Sequence, residues 1–285
     1  NYITTVEDLA VLKRVIIQNV APQGYGVLNA TDPHCVRMAE ACSGKVILFA
    51  PDGQHPVLAT HREQGLRAVW VEDGQIVAGE GEVRETVPLA EVPITRGGSI
   101  GFQVENAMAA LAAAWGVGLP WPAIRQGLAD FRSDAGSVPG RFNLLDYRGA
   151  TIIADYGHNP DAMRALAAAV QTMPAGRRSA VISGAGDRRD QDIREQTQIL
   201  GAVFDDVILY EDACQRGRAS GEVIGLLRQG LEGAARTTHV ETVMGEFAAI
   251  DAALARLRPG DLCLVLVDQV QEALAHLRRR CEGHA

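Results

Sequence analysis

Past residue 143 the chain repeats one pattern, and that pattern restricts its fold more than any other feature. Short apolar runs at Thr151–Ala154, Ala180–Ser183, Val207–Tyr210, Thr238–Glu241 and Leu262–Val267 alternate with stretches whose apolar residues recur at helical spacing. Met163, Leu166, Ala167 and Val170 form the first such stripe, and Ile193, Thr197, Leu200 and Phe204 the second. Val223, Leu227 and Leu231 follow, then Phe247, Ile250, Leu254 and Leu257, and finally Val270, Leu274 and Leu277. Strands separated by helices cannot pair through tight turns. They must run parallel, with the helices covering both faces of the sheet. One exception precedes the series: Leu144–Tyr147 and Thr151–Ala154 flank Arg148-Gly149, which predicts a hairpin.

The amino-terminal half reads less regularly. Thr4-x-x-Glu7 has the form of a capping box, followed by a stripe of Leu9, Leu12, Ile16 and Val20. Gly26–Leu28 and Val46–Phe49 read as strands, with a helix between them that starts at Asp32-Pro33 and ends near Gly44. Residues 57–94 read as β-rich around an Asp73-Gly74 turn. Glu105–Trp115 and Pro122–Phe131 then read as helices. The polar, turn-rich stretch Arg132–Ser137 suits a boundary, which predicts one domain over 1–137 and a second α/β domain over 138–285.

Composition removes some functions. With 35 acidic against 27 basic side chains and a net charge of −8, the chain lacks the cationic surplus that sequence-independent nucleic-acid binding requires. The five cysteines form no C-x-x-C pair, and their odd number predicts a reduced, cytoplasmic protein. The apolar run Leu262–Val267 is far too short to span a bilayer, so no membrane partner is expected.

Candidate chemistry gathers at predicted strand ends. Asp155 closes a strand, His158 follows it, and Asn159-Pro160 can cap and begin the next helix. A carboxylate there can bind ribose hydroxyls or simply satisfy a turn. Arg141, set by Pro139-Gly140, can hold phosphate or stack on a base, although a solvated ion pair is the commoner use of such a residue. Asn106 can present an amide to an adenine edge, or serve as an ordinary helix cap. Gly184-Ala185-Gly186 follows a strand, but Arg189 stands where a dinucleotide fingerprint needs glycine, which disfavours an oxidoreductase. Arg188 in this loop is either a ligand for anions or one of a set of self-paired charges. Glu211 and Asp212 end the next strand, where they can meet a guanidinium substrate or pair with Arg216 and Arg218.

Several of these motifs carry a resemblance. "GFQVENAMAALAAAWGVGLP", "PGRFN", "DYGHNP", "GAGDRRDQDI" and "EDACQRGR", in this order, resemble the Mur ligase superfamily and, within it, the cyanophycin synthetase branch. The resemblance implies part of a central ATPase-type domain followed by a Rossmann-like carboxyl-terminal domain. It implies an ATP- and Mg²⁺-dependent ligase that joins arginine to the side-chain carboxylate of an aspartate polymer through an acyl phosphate, assembled as a homo-oligomer. It implies nucleotide contacts for Asn106, Arg141, Asp155 and His158, a catalytic place for Arg188, and an amine-side surface including Glu211 and Asp212. "VEDLAVLK" resembles a helix whose lysine is carbamylated in several Mur ligases, which makes Lys13 a second catalytic candidate. A carbamylated lysine must first lose its charge, which calls for a desolvated site. No metal ligands are assigned. No G-x-x-x-x-G-K-[ST] loop occurs in the chain, so it is expected to be a piece of a longer enzyme and inactive alone. A non-catalytic Mur-like binding module, or another Mur or folylpolyglutamate-type ligase, are the alternatives.

Overall fold

A computed structural model describes residues 5–211 and 216–283. The chain divides into two compact units, Asn1–Phe131 and Arg132–Ala285.

In the first unit, α1 (Val6–Gln18) is followed by β1 (Tyr25–Asn29), α2 (Pro33–Ala39), β2 (Lys45–Asp52) and α3 (Pro56–Glu63). Then come β3 (Ala68–Glu72), β4 (Gln75–Glu80), β5 (Val83–Pro88), α4 (Gly101–Gly116) and α5 (Trp121–Asp130). The strands stand in sequence order, β1 to β3 parallel and β4 and β5 antiparallel. Ile47, Phe49, Val69 and Ile76 face Met108 and Leu111 of α4 and Ile124 of α5, while Leu48, Ala50, Trp70 and Val77 pack with Leu58 of α3. Strand alternation divides these residues between the two faces. The Asp73-Gly74 turn forms as expected, both residues at positive φ (50° and 74°) as a two-residue hairpin requires.

Two expectations need correction here. The expected cap Thr4 lies outside the described residues. Thr5 caps α1, its hydroxyl accepting the Asp8 N–H at 3.1 Å while the Asp8 carboxylate accepts the Thr5 N–H. Residues 57–63, the start of the stretch read as β-rich, belong to α3, which Pro56 opens at a position where no N–H is needed. The apolar stripe of α1 forms as expected and is largely exposed: Leu12 is 55% and Ile16 64% exposed, while Ile17 is buried.

The second unit begins with the hairpin of β6 (Asn143–Tyr147) and β7 (Ala150–Asp155). It continues through α6 (Pro160–Thr172), β8 (Arg178–Ile182), α7 (Asp190–Gly201), β9 (Asp206–Glu211) and α8 (Glu222–Gly230). The chain ends with β10 (His239–Met244), α9 (Glu246–Leu254), β11 (Leu262–Leu266) and α10 (Val270–Glu282). The strand order is β10-β9-β8-β11-β7-β6, parallel except for the β6 edge. This is the mostly parallel, helix-covered sheet that the alternation predicts. Ile152, Val181, Ile208, Cys263 and Val265 pack with Ile250, Leu254, Leu274 and Leu277 of α9 and α10. Parallel pairing aligns the carboxyl ends of β7 to β11 along one edge, and the candidate residues of this unit lie there.

Candidate functional site at the carboxyl edge of the second sheet

The segment Pro139–Asn143 is bent to a shape that its neighbours enforce. Gly140 has φ +69°, and a Cβ there would come within 2.7 Å of the Val270 side chain, so glycine alone fits. Phe142 also takes a positive φ, +53°, although it has a side chain and is buried. Such backbone persists only where the surroundings fix it. Asn143, 1% exposed, accepts the Gly140 N–H at 2.7 Å and donates to the carbonyls of Val138 (3.0 Å) and Ser133 (3.2 Å). Asp155 supplies the other restraint. One of its carboxylate oxygens accepts the Phe142 N–H at 2.9 Å and the other the Gly157 N–H at 2.6 Å.

Both oxygens of Asp155 are thus engaged with backbone, which is the turn-satisfying arrangement rather than a free ribose ligand. Burial pushes its carboxyl up from the usual range, against the two N–H bonds and the nearby charges of Arg141 and His158. In this geometry Asp155 orients Arg141 by holding the residue after it. Arg141 is exposed, its guanidinium 5.9 Å from the Tyr156 ring centre. His158 meets the same ring edge-on at 4.8 Å, and its Nδ1 lies 2.9 Å from the Tyr156 carbonyl, which accepts its proton. That bond leaves Nε2 as the ring's other polar atom. Asn159 caps α6 by accepting the Ala162 N–H at 2.9 Å, as the sequence predicts.

The loop after β8 carries Arg188, exposed and ahead of α7. Arg216 and Arg218 reach this loop. Arg216 donates to Asp187 and to Asp268, each at 3.3 Å. Glu211 does not pair with Arg216 or Arg218. It is 2% exposed and accepts from the Gly221 N–H (2.8 Å) and the Ser220 hydroxyl (3.1 Å), holding the turn into α8. Asp212 lies outside the described residues.

Sequence reasoning missed two buried groups at this edge. Asn143 was noted only as part of a motif, and Glu246, 2% exposed, accepts the N–H groups of Asp268 (2.8 Å) and Gln269 (3.0 Å) ahead of α10. In the sequence Asn143 stands just before a predicted strand and Glu246 just before a predicted helical stripe.

The remaining candidates belong to the first unit. Asn106 is not a cap: α4 begins at Gly101, and the exposed Asn106 amide donates to Gln103 Oε1 at 3.2 Å. Lys13 is exposed on α1, without the burial that would favour a neutral amine. Among the described residues no group of three or more His, Cys, Asp and Glu is placed to hold a metal ion. A cavity of about 360 Å³ opens at the other, amino end of the second sheet, lined by Arg177, Asp206, Arg256 and Arg258 among others. Its Arg177 and Arg256 are held by Asp206 and Glu241, so the carboxyl edge is the better candidate for binding an anion.

Residues 140–266 match the family described as Mur ligase, glutamate ligase domain. This segment is a Mur ligase domain. The likeness extends past it: over 280 residues, 98% of the chain, the sequence is 37% identical to a cyanophycin synthetase of Synechocystis and 35% identical to one of Crocosphaera subtropica. The chain spans 32% of the length of each of those proteins. It is 27% identical, over half of that protein's length, to a UDP-N-acetylmuramoyl-L-alanyl-D-glutamate–2,6-diaminopimelate ligase of Chlorobaculum tepidum. In fold the chain resembles E. coli FolC in complex with DHPP and ADP, with a TM-score of 0.67 at 21% identity, covering 99% of this chain and 58% of FolC. No helix among the described residues is long and apolar enough to cross a membrane.

Proposed function

We propose that this chain is the carboxyl-terminal part of an ATP-dependent amide ligase of the cyanophycin synthetase kind. It would serve in joining arginine to the side-chain carboxylate of an aspartate polymer. The observation that carries this reading is the identity to cyanophycin synthetases along nearly the whole chain, across both units. ATP would phosphorylate the carboxylate, and the amine would displace phosphate from the acyl phosphate. Such chemistry needs little from a protein beyond positioning and neutralisation of negative charge.

The edge described above fits that demand. Arg141 offers a guanidinium beside an aromatic ring, a surface suited to a phosphate or a base. Arg188 offers a second exposed cation, and His158 a ring nitrogen. Asp155 and Asn143 act one step back, by fixing the backbone from which Arg141 projects. The chain has no phosphate loop of the G-x-x-x-x-G-K-[ST] type, so the β- and γ-phosphates would be cradled elsewhere. Among the described residues no cluster of His, Cys, Asp and Glu fits Mg²⁺.

The test is arginine-dependent release of phosphate from ATP in the full-length protein, with an aspartate-ended polymer as acceptor. Arg141→Ala should raise the KM for ATP about tenfold, as loss of one charge-assisted contact implies. Residues 1–285 alone should release no phosphate. A full-length protein whose ATP turnover ignores both arginine and the polymer would refute the proposal.

A further inference from the structure

Arginines 188, 189, 216 and 218 surround the loop between β8 and α7, and their partners differ. Arg189 is paired with Asp192 at 2.7 Å. Arg216 is shared between Asp187 and Asp268. Arg218 meets Asp190 at 2.9 Å and Glu222 at 2.6 Å. Arg188 forms no ion pair with any described residue, although Asp187 and Asp190 stand within two positions of it in the sequence. Its freedom therefore depends on other cations occupying those carboxylates.

Arg218 does more than occupy one. Its Nε donates to the Gly186 carbonyl and an Nη to the Arg188 carbonyl, both at 2.7 Å, and its side chain is only 16% exposed. One planar guanidinium thus joins two backbone carbonyls of the loop and the carboxylates on either side. The fixed fork of arginine can do this and a lysine ammonium cannot. An exposed ion pair is worth little by itself, but a half-enclosed fork with its donors committed sets geometry.

We propose that Arg218 is a positioning residue that keeps Arg188 available to an anionic substrate group, by fixing the backbone of the loop and by withholding Asp190. This rests on the reading above in which Arg188 meets a phosphate or carboxylate. Without Arg218, the carbonyls of Gly186 and Arg188 lose their donor. The Asp190 carboxylate then keeps only the long contact with Arg194, at 3.8 Å, and can turn to Arg188 and cancel its charge.

The experiment is a set of steady-state assays of the ligase reaction on full-length Arg218→Ala, Arg218→Lys, Arg188→Ala, Arg188→Ala/Arg218→Ala and Arg218→Ala/Asp190→Asn. Arg218→Ala should lower kcat/KM for ATP about 10- to 100-fold, the equivalent of losing a hydrogen-bonded charge. Arg218→Lys should recover only part of this. Adding Asp190→Asn should restore about tenfold, because the competing carboxylate has gone, a rescue that a purely structural role would not give. The double Arg variant should be little worse than Arg188→Ala alone. Multiplying effects of the two Arg substitutions, or no rescue by Asp190→Asn, would overturn the proposal. Wild-type kinetics in Arg188→Ala would instead overturn the role of Arg188 on which it rests, and hydrogen exchange of the 184–190 amides separates the two cases. In that case exchange still rises in Arg218→Ala, because the clamp on the backbone is lost whatever Arg188 does.

Discussion

Replacing Asn143 with alanine should cost the second unit more than any exposed substitution at its candidate site. The side chain is 1% exposed and makes one accepted and two donated hydrogen bonds to backbone within 3.2 Å. Truncation strands the Gly140 N–H in a buried place, a loss of about 1–3 kcal/mol, and removes donors from two carbonyls at about 0.5–1.5 kcal/mol each. Part of that is recovered where water reaches the carbonyls, leaving an expected net of about 2–4 kcal/mol. Aspartate should not rescue. It keeps the acceptor for Gly140 but turns a second oxygen lone pair towards Val138 and Ser133, where a donor is required. Urea unfolding followed by the circular dichroism of the whole protein gives the stability loss. Hydrogen exchange at the Gly140 and Phe142 amides gives its location. The midpoint should fall by about 1–2 M urea for a slope near 2 kcal/mol/M. A loss below about 0.5 kcal/mol, or a wild-type Asn143→Asp protein, would show that these hydrogen bonds do not fix the segment.

Asp155 makes stability depend on pH with a particular sign. Its folded-state pKa is raised by burial, so the folded protein holds the proton more tightly than the unfolded chain. That contribution is fully present below the ordinary aspartate value and is lost as pH rises through the raised one. Relative to the non-titrating Asp155→Asn variant, the wild type should gain stability as pH falls from 7 towards 4, measured by urea unfolding at each pH. A relative loss would contradict the burial argument. Arg148 sits at φ +55° ahead of Gly149 in the β6–β7 turn, a place that asparagine fills with less strain. Arg148→Asn should therefore stabilise by about 0.5–1 kcal/mol and raise Tm by a few degrees; a lowered Tm would mean that the Arg148 contact with Tyr147 matters more.

The architecture of the second unit was legible because a parallel sheet shows itself as alternation, and because the Arg148-Gly149 and Asp73-Gly74 turns have a backbone chemistry of their own. What failed was local. Helix α3 was hidden by its short apolar pattern, which read equally well as a strand with a turn. The stripe on α1 was read as apolar, but periodicity reports a face and not what covers it, and in the structure this face is largely exposed. Residue types placed Asp155 and Glu211 at strand ends, where the structure has them. They did not reveal that Asp155 and Glu211 would be turned towards backbone N–H groups, because a carboxylate serves a turn and a ligand equally well. Asn143 and Arg218 escaped for a related reason: their importance lies in the number of partners they satisfy at once, which only the folded chain assembles.

The position of β11 has a consequence for how the second unit can be made. Last among the strands to leave the ribosome, it lies in the interior of the sheet, paired with β8 on one side and β7 on the other. Until Leu262–Leu266 is synthesised, the β6–β7 hairpin and the β8–β9–β10 group have no strand joining them, and each has an open edge. Vectorial synthesis therefore yields two half-sheets that must wait for their keystone, with Asp155 and the Arg188 loop on opposite sides of the gap. A nascent chain stalled before residue 262 should be unusually dependent on chaperones, and no truncation that removes β11 should retain the edge to which the candidate residues belong.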